Sequence, residues 1–418
     1  MNKEKDISIL RNLSEKYAEI ACSDLQNKRR ELWRKNNSLE KNAGPLIIIQ
    51  NFGSWSEFMR HEFSDEKMEC RDLFFKNHEK KLKILLWQNG HNDDTVEEPW
   101  INQGASHIFT PEGPWGLKVQ HINPEESGGA FKEIHPIQDW SELDQMTIPH
   151  HKIDELKTKE NYDKINNAVG DILEVNLDRS PLMMNHNGSI SDPLGHFRGI
   201  ENLMFDMYDN PEKLKQILEF LRDGTLINQQ EGEEAGDFSL TACGDYSLAY
   251  FDDGKDPKAN SFGAKRSDLL CFMQAQEYTM FSPEQHDEFM LQYQIPIMEK
   301  FKYVTYGCCE DLTDKINILR QIKNLRMIGV TPSANVAKCA EQIGDQYVIS
   351  YRPNPAEMVC CGFDESKIRR IIGNALEIFK ANNCIVHIYL KDIETLEGEW
   401  DRLGKWSDIV RSEIDKVW

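Results

Sequence analysis

The amino-acid sequence predicts a (β/α)8 barrel of the TIM type with an N-terminal helical extension, residues 1–44 forming the arm and 45–418 the barrel. Short apolar runs alternate with helix-patterned stretches, which implies parallel strands joined by right-handed crossovers. About eight such units fit between Pro45 and Trp418, the number at which a parallel sheet closes on itself. No G-x-G-x-x-G or G-x-x-x-x-G-K-[ST] turn follows a strand-like run, which weighs against the alternative of an open, doubly wound nucleotide-binding sheet.

The elements follow in chain order. Ile9, Leu10, Leu13 and Tyr17 recur at helical spacing in the charged segment 3–41, predicting one or two helices. Residues 45–49 read as the first buried strand, and helical patterning covers about 65–87. Gly113-Pro114-Trp115-Gly116 divides two β-like runs within 104–122, as in a hairpin. Helix resumes over 153–173. Residues 182–184 lead as a strand into a polar loop, 185–199, and then a helix through 221. Residues 238–243 read as a strand, 284–300 as a long helix and 301–305 as a strand. Helices over 313–322, 335–343 and 365–381 then separate strands over 326–330, 347–351 and 384–390, and a helix closes the chain from 400.

Charge and composition narrow the function. Lys and Arg total 49 against 70 Asp and Glu, a formal charge of −21, which argues against nucleic acid or an anionic membrane as the main partner. No apolar run approaches the ~20 residues that cross a bilayer. The start, Met1-Asn2-Lys3-Glu4-Lys5-Asp6, lacks an apolar signal core, so a cytoplasmic protein is expected. Ten cysteines occur with no C-x-x-C pair, which excludes a zinc ribbon. Two pairs are vicinal, Cys308-Cys309 and Cys360-Cys361, and each is expected to supply one functional thiol at most, because strand neighbours point to opposite faces.

Chemistry-bearing residues cluster at the predicted strand ends, where barrel enzymes place their sites. In Tyr306-Gly307-Cys308-Cys309-Glu310-Asp311, an extended backbone puts Tyr306, Cys308 and Glu310 on one face and leaves Cys309 to a structural role. Cys243 and Asp245 share a face by the same count, His186 follows the 182–184 run, and Arg352 and Asn354 end another strand. Lys391 closes the last strand, where His387 and Tyr389 alternate with it. A lysine buried there needs a partner or a task. Trp55, Trp87, Trp100 and Trp115 are candidates to wall an aromatic pocket. Asp192-Pro193-Leu194-Gly195-His196 has three residues where the D-x-H-x-x-G corrinoid signature has one, so the chain is not expected to hold its own corrinoid.

The segments Tyr306–Leu312, Asn324-Leu325-Arg326, Tyr351-Arg352-Pro353-Asn354-Pro355 and Ile388–Ile393 together resemble the uroporphyrinogen decarboxylase superfamily, most specifically between residues 300 and 395. The resemblance implies a barrel with a deep site at the strand C-termini and a homodimer. The region Ile47–Gly53 lacks the arginines with which true decarboxylases grip a porphyrinogen, so the resemblance is closer to the corrinoid-dependent methyltransferase branch. It implies an enzyme moving a methyl group from a small methylated, methoxy-aromatic-type substrate to the cobalt of a separate corrinoid protein, with zinc as cofactor. Tyr306 stands where many such enzymes have a histidine, and Cys308 matches their cysteine. The expected roles are then metal ligation by Cys308, Glu310 and Cys243, acid–base catalysis by Tyr306, Lys391 and Asp245, and substrate binding by His186, Arg352 and Asn354. The alternatives are a metal-free decarboxylase or lyase of a small carboxylate, with Arg352 as clamp, and a non-catalytic binding barrel.

Overall fold

The computed structural model describes residues 2–418 apart from 42, 51–55, 123–131 and 244–245. Ten strands occur among the described residues: β1 (Leu46–Ile49), β2 (Trp100–Gly104), β3 (Gln120–Ile122), β4 (Lys132–Ile134), β5 (Glu174–Asp178), β6 (Leu270–Met273), β7 (Tyr303–Tyr306), β8 (Leu325–Val330), β9 (Val348–Tyr351) and β10 (Ile385–Leu390). Six form one parallel sheet in the order β1-β10-β9-β8-β7-β6, and β2 pairs in parallel with β5. The chain is therefore a mixed α/β protein dominated by parallel strands.

Both faces of the large sheet are buried, which is why its strands read as continuous apolar runs. One face carries Leu46, Ile48, Leu270, Met327, Val348, Ile385 and Tyr389, packed with Trp33, Leu248 and Tyr250. The other carries Ile47, Cys271, Val304, Tyr306, Ile328, Ile349 and Ile388 against helical residues such as Leu376, Phe379 and Trp406. Beyond β1 and β5, side chains take the place of a neighbouring strand. Asp94 and Asp93 accept from the amides of Ile47 (2.8 Å) and Ile49 (2.9 Å), and Asn260 accepts from Leu177 N (2.9 Å). An edge whose donors are satisfied this way offers no template for a further strand.

The N-terminal segment forms two helices, Asn2–Ala21 and Asp24–Asn37. The first packs Leu10 and Tyr17 against Phe75, Leu82 and Ile165. The second inserts Trp33 into the sheet's inner cluster, where its indole donates to Asp94 O at 2.7 Å and Asn36 donates to Val386 O at 2.9 Å.

Several expected elements differ. The hairpin lies later than its Gly-Pro signal: β3 pairs antiparallel with β4, while Gly113 and Gly116 make turns at positive φ. Residues 182–184 are not a strand, because the Asn228 and Gln229 side chains of the helix Pro211–Ala235 bond the backbone of Met183. The true strand is β5, whose polar Glu174, Asn176 and Asp178 hid it. Residues 238–243 coil into a turn in which Ser239 and Thr241 bond each other and their own backbone, the local competition such residues offer a ladder. The loop expected over 185–199 contains the short helices Asn185–Gly188 and Ser191–Arg198, and the helix expected over 313–322 is a single turn, Ile316–Leu319.

Candidate functional site

The C-terminal ends of β7, β9 and β10 open on a cavity of about 200 Å³, below the roughly 300–1,000 Å³ usual for larger ligands. Its polar lining is Asn185, His186, Cys243, Thr305, Cys308, Arg352, Tyr389 and Lys391, over an apolar floor of Leu248, Leu270 and Phe272. Strand alternation brings Thr305 to this side and turns Tyr306 away. Gly307 then resets the alternation: at φ 109 it makes a turn few other residues tolerate, and Cys308 returns to the cavity. A Cβ at Gly307 would also meet Leu312 Cδ1 at 2.9 Å.

Two cations face the cavity. Arg352, 3% exposed, donates through Nη1 to Cys308 O and lies 5.8 Å from the centroid of the Tyr389 ring. Its Nε is a buried donor with no partner among the described residues. Room for this guanidinium comes from Gly329 on β8, where a Cβ would stand 3.1 Å from Nη1. Lys391 donates to Cys309 Sγ at 3.3 Å and to Cys308 Sγ at 3.8 Å, and pairs with Asp392. Burial by itself would lower the Lys391 pKa, but the adjacent thiol pair and Asp392 outweigh it, so the ammonium is held charged. The two thiols lie 3.6 Å apart. The hydrogen bond from Cys308 and the Lys391 charge pull the Cys309 thiol down, while the same bond and burial push Cys308 up.

Opposite stands a carboxylate–imidazole group. His186 Nδ1 lies 3.0 Å from Asp192 Oδ2, and Gln274 Nε2 donates to Asp192 Oδ1 at 2.7 Å. Burial opposes ionisation of Asp192, yet the bonds from His186 and its neighbours keep its pKa low. Burial and the neighbouring Asp192 push the Glu277 pKa up. A histidine oriented by a carboxylate at a cavity wall suits proton transfer.

The cavity thus gathers His186, Cys243, Cys308, Arg352 and Lys391. It does not gather the others. Tyr306 is fully buried on the opposite face, with its hydroxyl 2.8 Å from His286 Nε2 and donating to Gln294 Oε1 at 2.8 Å. Burial raises its pKa far above the ordinary phenol value, so it is not placed as a site acid. Glu310 is buried at 0% exposure and accepts from Ala275 N (2.8 Å) and Cys308 N (2.7 Å), bracing the motif rather than facing the cavity. Asn354 caps the turn that follows it by accepting from Ala356 N at 3.0 Å. Asp245 and Trp55 lie outside the described residues; Trp87 and Trp115 pack in the core, and Trp100 lines a separate cavity. His387 sits below, edge-on to Trp33 with its pKa pushed down to about 3 by burial. Cys309, expected to be structural, is the exposed member of the pair and the nearer to Lys391. The expectation failed because Gly307 breaks the extended geometry on which the face count rests.

The zinc expectation can be tested against these donors. A zinc site needs three or four convergent thiolate, imidazole or carboxylate ligands. Among the described residues no three such groups gather, Glu310 is engaged with backbone amides, and the Lys391 ammonium lies beside both thiols. This donor set does not fit zinc.

No family model matches the chain, and no curated protein matches it. Among solved structures, a methyltransferase from Methanosarcina mazei is similar at 9% identity with a TM-score of 0.48, over 93% of this chain and 98% of that one. Likeness at this level assigns no residue a role.

Proposed function

We propose that this chain is an enzyme that takes a methyl group from a small, anionic, methoxy-aromatic-type substrate and passes it to a separate corrinoid protein. One observation carries the reading. Three of the segments by which the sequence resembles the uroporphyrinogen decarboxylase superfamily contribute Cys308, Arg352, Tyr389 and Lys391 to a single cavity. The reading takes the two parallel sheets as arcs of one eight-stranded barrel, β1, β2 and β5 to β10, with the cavity at its mouth.

In this scheme Arg352 and Lys391 hold the substrate anion by charge-assisted hydrogen bonds, the strong class of such contacts. Tyr389 and Phe272 flank an aromatic ring. A methyl ether is a poor electrophile until its oxygen is protonated or otherwise polarised, and in this reading His186, held by Asp192 at the cavity wall, moves that proton. The partner's corrinoid supplies the methyl acceptor.

The donor set favours a second reading, metal-free decarboxylation of a small carboxylate, because Arg352 and Lys391 face the cavity and no zinc ligand set gathers there among the described residues. One experiment separates the two. The chain is mixed with methoxybenzoates and a reduced corrinoid protein, and the corrinoid spectrum and CO2 release are followed. A spectral change that needs both substrate and chain supports methyl transfer, whereas CO2 release without corrinoid supports the second reading. For either, Arg352→Lys is expected to lower kcat/KM at least ~100-fold, the loss of about 3 kcal/mol that accompanies a broken charged contact; an unchanged value would remove Arg352 from the site.

A further inference from the structure

The pair Cys308-Cys309 occupies a place that methyl transfer does not require of both residues. The Sγ atoms are 3.6 Å apart, and Lys391 Nζ touches each. Cys309 is exposed and opens with Cys308 on a second cavity of about 270 Å³, beside Pro332, Ser333 and Asp392. Small oxidants therefore reach Cys309 without passing through the substrate cavity. The remaining gap to a disulfide bond of about 2.05 Å is closed by side-chain rotation and an adjustment of the intervening peptide.

We propose that Cys308-Cys309 is a modification site for hydroperoxides, closing to a vicinal disulfide. The Cys309 thiolate attacks the outer peroxide oxygen; the S–O bond forms, the O–O bond breaks, and the departing alkoxide or hydroxide takes a proton from solvent. Sulfur loses two electrons and the peroxide gains them. Cys308 sulfur then attacks Cys309 sulfur, the S–O bond breaks, and the Cys308 proton leaves with hydroxide as water. The eight-membered ring so formed contains the Cys308 carbonyl, the acceptor of the Arg352 bond. Closing it rotates that carbonyl and removes the Cys308 thiol from the substrate cavity, so oxidation unseats the anion clamp at the same time.

The test uses the full chain, reduced and then treated with a few equivalents of hydrogen peroxide. Intact mass and peptide mapping are expected to show loss of two hydrogens on the peptide carrying residues 308 and 309, reversed by dithiothreitol. In Cys308→Ser the reaction is expected to stop at a sulfenic acid on Cys309 that dimedone traps. Cys361→Ser, which changes the exposed member of the other vicinal pair, is expected to behave as the parent. Oxidation that leaves residues 308 and 309 as free thiols in the parent chain, or a disulfide joining either to a distant cysteine, would overturn the proposal. Because the parent is mapped directly, a variant that folds poorly does not decide the outcome, and none of these readouts depends on methyl transfer.

Discussion

At the scale of the residue, Tyr306 and Cys308 part company although their spacing predicts one shared face: Cys308 lines the cavity and Tyr306 turns away from it. Two positions apart, they share a face only on an extended chain, and Gly307 at φ 109 is not extended. Tyr306 instead braces the site from behind. Its hydroxyl meets Gln294, whose amide donates to Ser189 O and Gln274 O, both at 2.7 Å. Tyr306→Phe would strand Gln294 Oε1 and His286 Nε2 in the core, at an expected cost of about 1–3 kcal/mol in chemical denaturation. Substrate KM should not change, because the hydroxyl does not reach the cavity. A large loss of kcat at unchanged stability would return Tyr306 to the catalytic set. Arg352 was legible from the sequence as an arginine held between a strand and Pro353. What was not legible is that Gly329, one strand away, clears the space it occupies.

Elements decide the site through their ends. The C-terminal ends of β7, β9 and β10 deliver Cys308, Arg352 and Lys391 to one cavity, while the turn at Gly307 sets which thiol faces in. Gly307→Ala combines a disfavoured φ with a contact at 2.9 Å to Leu312. It is expected to cost about 1–3 kcal/mol in unfolding free energy, and to lower activity beyond that because Cys308 must shift. Full activity in a folded variant would show that the turn does not position the thiol. The strands from β7 onward were legible because burial on both faces makes most of their residues apolar. β5 was not, since its polar side chains bond Asn260 and Thr241 rather than filling a core.

For the whole molecule, the N-terminal arm and the sheet share one core. Trp33 is fully buried among Leu46, Ile48 and Val348. Trp33→Ala is expected to destabilise the entire chain by about 3–5 kcal/mol in a single cooperative transition. Loss of the arm alone, with the sheet's unfolding unchanged, would count against a shared core. The buried acid Glu97, 2% exposed, gives the molecule a pH signature. Burial, reinforced by Asp93, raises its pKa from 4.5 to about 8, although the Tyr17 hydroxyl opposes the rise. Between those values the folded state keeps a proton that the unfolded state has released, so this group's contribution to stability falls as pH rises from about 4.5 to 8. Glu97→Gln removes the titration, so its urea midpoint should gain on the parent between pH 5 and pH 9. An equal difference at both pH values would show that Glu97 does not titrate in that window.

The sequence by itself determined the α/β character, the order of most helices and strands beyond residue 300, and the concentration of chemistry at strand ends. These follow from local patterning and burial, which a chain carries in its own periodicity. Only the tertiary structure decided which candidates meet. The space beside Gly329, the withdrawal of Tyr306 and Glu310 into bracing contacts with His286, Gln294 and Ala275, and the approach of Lys391 to both thiols each depend on groups from different elements. Such contacts join residues far apart in the chain, and no local period records them.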